Sequence, residues 1–160
     1  MHNTKKLIPT IINCDTGIDD AVALMIAVKS KKLDIKLITT DLGNVNAEQS
    51  AKNTLNVLEL INAPQIPVSF GEGKCYKLER ARVSVHGNDG LGGYKFDENP
   101  RKILEGDAVE NMYKTLMASD EKITIICISP TTNIAKLVST HKDCLEKIER
   151  IVIMVGTIEK

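Results

Sequence analysis

The residues best suited to chemistry stand near the amino terminus, where Asp15, Asp19 and Asp20 fall within six positions directly after an apolar run. Carboxylates that close repel one another, and a divalent cation would offset the repulsion. Ligands that are all oxygen select a hard ion such as Ca²⁺ or Mg²⁺. An Asp that holds such an ion and also contacts its water would support hydrolysis, because the ion lowers the water's pKa and the carboxylate takes the proton. A plainer account has Asp19 capping the helix that follows, with the other two carboxylates solvated. It explains one Asp well, but Asp15 sits on the very end of the apolar run, with Gly17 two residues on. Other chemistries find less support. Cys14, Cys75, Cys127 and Cys144 are far apart, with no C-x-x-C and no His at metal spacing, so neither a zinc site nor a redox pair is indicated. Reduced, buried thiols of a cytoplasmic protein are expected instead. The glycines at 87, 90, 92 and 93 do not form a G-x-G-x-x-G at a helix start, so a dinucleotide fingerprint is not supported.

The elements that must position these residues follow from two alternating periodicities. Residues 7–14 are a short Ile-rich run suited to a strand buried on both faces. From 19 to 28, apolar residues cover nearly the whole circumference of a helix buried against a sheet. A second strand is expected at 35–40, an amphipathic helix at 47–61, and a short strand at 66–70 with Pro67 near its start or on an edge. Residues 71–106 form a long glycine-rich stretch, of a length that is usually functional. Helix and strand then resume at 107–118, 122–128, 132–138, 142–147 and 150–155. The alternation predicts an α/β fold: a mostly parallel, Rossmann-like open sheet with helices on both faces, in one domain over residues 1–160. In such sheets ligands bind outside the carboxyl ends of the strands, where Asp15 falls.

Composition narrows the partners. Lys and Arg number 21 against 21 Asp and Glu, which leaves no basic excess for nucleic acid. The chain is 42% hydrophobic, enough to bury a core. No run approaches the roughly 18 apolar residues of a spanning helix, so no membrane role is expected. Pro9 interrupts the apolar stretch after the first lysines, which therefore reads as a strand and not a signal peptide.

Taken whole, NCDTGIDDAVALMIA at 13–27 resembles the signature of the nucleoside hydrolases, the inosine-uridine-preferring ribohydrolases, whose pattern is D-x-D-P-G-x-D-D-A-x-A. Three further segments resemble that family in the same order: DLGNV at 41–45, VHGNDGLGG at 85–93, and ITIICISPTTNIAKL at 123–137 followed by IERIVIMVG. The resemblance implies hydrolysis of the N-glycosidic bond of ribonucleosides, with Ca²⁺ as cofactor and a place in purine and pyrimidine salvage. It implies that Asp15 and Asp20 ligate Ca²⁺ together with the main-chain carbonyl of Ile128, and that Asp15 activates the attacking water. Asp19 and Asn44 would bond the ribose hydroxyls, and His86 would lie on a loop closing near the substrate. Read without the family, Asn44 is an ordinary turn residue, His86 a loop histidine and Thr131-Thr132-Asn133 a helix N-cap.

Departures from the pattern are Asn13 for its first Asp, Thr16 for its Pro, and Val155 for the first Gly of a later pair. Asn13 removes one charge and is expected to loosen support of the site. Family members are roughly twice as long, so the resemblance covers an amino-terminal half and implies a truncated domain. An uncovered sheet edge is expected to drive homo-oligomerisation or pairing with a complementing second half. Two other readings stay open: an inactive nucleoside-binding remnant, and an Asp-dependent phosphatase, against which the lack of a D-x-D-x-T string counts.

Overall fold

The computed structural model describes residues 6–72 and 84–156. Cys75 and part of the glycine-rich stretch lie outside them. In chain order the elements are β1 (Ile8–Cys14), α1 (Ile18–Lys29), β2 (Leu33–Thr40), α2 (Ala47–Leu60), β3 (Val68–Phe70), a 3₁₀ turn (Ser84–His86), α3 (Ala108–Ala118), β4 (Ile123–Cys127), α4 (Thr132–Thr140), a second 3₁₀ turn (Lys142–Lys147) and β5 (Ile148–Ile153). The strands form one sheet in the order β3-β2-β1-β4-β5, and every pairing is parallel. The α/β open sheet expected from the periodicity is what the chain forms. Pro67 stands just before β3, and its carbonyl accepts from Ile38 N–H at 2.9 Å, so the missing proline N–H is not needed by the edge strand.

Alternate strand residues face opposite layers, because side chains alternate across a strand. Ile12, Cys14 and Ile38 pack with Leu24 of α1 and Leu55 and Leu58 of α2. Ile11, Leu37, Ile123 and Ile125 pack with Met112 and Leu116 of α3 and Leu137 of α4. Helices therefore cover both faces, with β1 between layers. The sheet order reverses between β1 and β4, which opens a crevice at their carboxyl ends. Cys14, Cys127 and Cys144 are free and buried.

One expectation needs correction. The apolar circumference of α1 is not enclosed: Ile18, Val22 and Ile26 are 46%, 51% and 65% exposed. They recur every fourth residue and so share a stripe. The helix rests on the sheet through Ala21 and Leu24 and has α2 on one side, and no described element covers the remaining side.

Candidate active site

β1 ends by delivering Asp15 to the crevice, and α1 starts three residues later with Gly17 as its N-cap. Asp20 occupies the third helical position, and its Oδ2 accepts from Gly17 N–H at 3.0 Å. The capping carboxylate is thus Asp20 and not Asp19. Asp19, the next residue back along the helix, points about 100° away, and its side chain is largely exposed. The structure therefore divides the three carboxylates seen in sequence into a buried pair, Asp15 and Asp20, and an outer one.

Asn44, just past β2, joins the pair. Its backbone N–H donates to Asp15 Oδ2 at 2.8 Å, and its Nδ2 donates to Asp15 O at 3.2 Å and Asp20 Oδ2 at 3.3 Å. Gly43 makes this approach feasible, because a Cβ there would collide with the Asp15 carboxylate. Asp20 Oδ1 is buried without a hydrogen-bond partner. Burial, and then the charges of Asp15 and Asp19, push the Asp20 carboxyl up to about 6, against the N–H of Gly17. A buried acid with a spare oxygen beside a second carboxylate fits a hard cation. Among the described residues no group of three or more His, Cys, Asp and Glu side chains is placed to hold a metal, so an ion here would need main-chain oxygens, solvent or substrate to complete its shell. Ile128 follows β4 on the other side of the crevice, and its N–H donates to Asn13 O at 2.9 Å.

His86 comes from a distant loop to the start of α1. Its Nδ1 accepts from Ile18 N–H at 3.3 Å, which leaves Nε2 to carry the proton toward Asp19 Oδ1, 3.5 Å away. The loop behind it is held by Asn53 of α2, whose Nδ2 donates to Asp89 O at 2.8 Å and Thr16 O at 3.1 Å. Sequence reasoning passed over Asn53, a polar residue beside a helix's apolar stripe.

It also passed over Asp41. This residue is buried, and its Oδ2 accepts from Asn13 Nδ2 at 2.8 Å and Asn133 N–H at 3.3 Å. Burial lifts its carboxyl to about 6, opposed by those two bonds. Thr131 occupies the N-cap position of α4 but makes no side-chain cap bond. The bond to the Asn133 N–H comes from Asp41 instead. Asn13 is not loosely held either: Nδ2 also donates to Ser129 Oγ at 2.7 Å, and Oδ1 accepts from Thr39 Oγ1 at 2.7 Å and Asn133 Nδ2 at 3.1 Å. Cys14 is kept a neutral thiol, pushed up to about 12 by burial and by Asp20.

Residues 10–160 match the sequence profile of the inosine-uridine preferring nucleoside hydrolases. The chain is 41% identical over 152 residues to a pyrimidine-specific ribonucleoside hydrolase, RihA, of Salmonella paratyphi A, a match covering 94% of this chain and 49% of that protein. Among solved structures it resembles a purine-preferring ribonucleoside hydrolase from Gardnerella vaginalis, with TM-score 0.85, 27% identity and coverage of 93% and 49%. A plant nucleoside hydrolase aligns with TM-score 0.84, 33% identity and coverage of 95% and 49%. The chain spans about half the length of the curated relatives it matches. Profile, relatives and fold agree, and the chain belongs to the inosine-uridine preferring nucleoside hydrolase family.

Proposed function

We propose that this chain carries the carboxylate side of a Ca²⁺-dependent ribonucleoside hydrolase site, which splits the N-glycosidic bond to ribose and free base. The observation that carries the reading is the buried Asp15–Asp20 pair bridged by Asn44, with Asp20 Oδ1 unpartnered. Asp15, Asp20 and the Ile128 carbonyl would hold the ion. When bound, Ca²⁺ would lower the pKa of a coordinated water and fix the ribose hydroxyls against it.

Asp15 accepts the proton of the attacking water, and the Asn44 N–H on its Oδ2 fixes the carboxylate's orientation. As the base departs, positive charge builds on the ribose ring, and Asp20, together with Asp15 until it takes the water's proton, supplies anionic charge in a site largely shielded from solvent. Asp19, exposed at the rim beside His86, would bond a ribose hydroxyl. Its neighbour His86 covers that side of the crevice with Nε2–H turned toward Asp19.

The test is incubation of the chain with inosine and with uridine in the presence of Ca²⁺, following reducing sugar. Release that falls by at least 10³-fold in Asp15→Ala is the expected result, in line with loss of a general base and a metal ligand together. No release, but a melting temperature raised by nucleoside, would instead mark a binding remnant and overturn the catalytic part of the proposal.

A further inference from the structure

Asn13 and Asp41 sit where three strand ends meet. Asn13 pairs with Thr39 of β2 and Cys127 of β4 in the sheet register, and its amide uses both N–H groups and its oxygen on partners from each side. Asp41 supplies the carboxylate of this network and also meets the start of α4. The charged groups acting on Asp41 are Asp15, from the adjoining strand end, and Lys136, from α4. Two residues along from Asn13 stands Asp15, three along from Asp41 stands Asn44, and beside Asn13 stands Ile128.

We propose that Asn13 and Asp41 are a matched positioning pair that sets the carboxyl ends of β1, β2 and β4 relative to one another, and through them the groups around Asp15. The pair is defined by its polarity: an amide N–H on β1 faces a carboxylate after β2. Exchanging the two residues keeps one amide facing one carboxylate across this contact and gives up the weaker bond from Asn13 Nδ2 to Pro130 O at 3.4 Å. An Asp at 13 would still accept from Thr39 Oγ1 and Asn133 Nδ2, and Ser129 would turn its O–H to donate; because Asp41 takes both the Asn13 amide and the Asn133 N–H on one oxygen, Oδ2, an Asn at 41 donates across only by turning its amide so that its oxygen meets the Asn133 N–H. A single Asn13→Asp change instead opposes two buried carboxylates at hydrogen-bond distance. The inference rests on the proposed Ca²⁺ site only for its metal readout.

The experiment compares the wild type, Asn13→Asp, Asp41→Asn and the exchanged double variant by Ca²⁺ titration calorimetry, melting temperature and the ¹⁵N–¹H signal of Asn44. Asn13→Asp is expected to weaken Ca²⁺ binding at least tenfold despite its added negative charge, to lower the melting temperature, and to shift the Asn44 signal. The double variant returns affinity to within about twofold of wild type and restores the signal. Tighter Ca²⁺ binding by Asn13→Asp would mean that the site responds to net charge alone, and would overturn the proposal. If the wild type binds no Ca²⁺, the calcium reading fails, while the pair is still judged by the Asn44 signal and the melting temperatures. Losses that simply add in the double variant overturn it. If Asn13→Asp does not fold, a folded double variant supports the pair and an unfolded one overturns it.

Discussion

At the scale of single residues, the site is a case of acids buried where their charged form is disfavoured. Asp20 and Asp41 both titrate near 6 in the folded chain, against an ordinary value of 3.8, chiefly through burial. Between those values the folded state keeps protons that the unfolded chain releases, so these two groups make stability fall as pH rises from about 4 to about 6. Below that window both states are protonated, and above it the whole penalty is present. Asp20→Asn is therefore expected to gain stability over the wild type as pH rises through the window, by up to about 3 kcal/mol in the metal-free chain. Paired thermal melts from pH 4 to pH 7 check it, and a difference that does not grow with pH contradicts it. Added Ca²⁺ should raise the melting temperature of the wild type at pH 7 and leave Asp20→Asn nearly unmoved, since a ligand stabilises only the state that binds it.

At the scale of elements, the loop bearing His86 depends on contacts with α2 and the turn after β1. Gly90 has φ +86°, and a Cβ there would lie 2.9 Å from Asn53 Nδ2 and 3.1 Å from Val45 Cγ1. Gly90→Ala thus meets both a left-handed backbone and a crowded seat, and should cost about 1–3 kcal/mol. Asn53→Ala removes the two bonds that tie Asp89 O and Thr16 O together, at a cost of about 1–3 kcal/mol for groups left without a partner. Because both changes act on one contact, the double variant is expected to lose less than the sum. Denaturant midpoints of the three variants measure this, and strict additivity would mean that the loop is held elsewhere.

At the scale of the whole molecule, the sheet has β3 at one edge and β5 at the other among the described residues. β5 leaves Ile151, Val152 and Ile153 substantially exposed, with Met154 and Val155 beyond it. An apolar edge with free backbone groups is a template for pairing, and the open stripe on α1 adds apolar surface. The chain is expected to self-associate as its concentration rises. Val152→Lys should reduce that association while changing stability by no more than about 0.5 kcal/mol, as a surface substitution does. Light scattering across a concentration series tests both, and a wild type that stays monomeric throughout contradicts the first. Among the described residues, no helix is long and apolar enough to cross a membrane.

The local signals were legible because each lies within a few residues of what it specifies. Ile-rich runs mark strands, a 3.6-residue stripe marks α2, and an Asp on the last position of an apolar run marks a strand end facing a crevice. Tertiary structure decided what depends on residues far apart in the chain. The bond from Asp41 to the start of α4 spans 92 positions, and the bond from Asn13 to Ser129 spans 116. The apolar run marks Asn13 as buried, but no local pattern names the partner of either residue. The apolar circumference of α1 likewise could not say how much of it would be covered, because exposure is a property of the neighbours and not of the helix. Even the division of the three carboxylates is geometric: adjacent in sequence, Asp19 and Asp20 part because a helix turns about 100° per residue, sending one to the buried pair and the other to the rim.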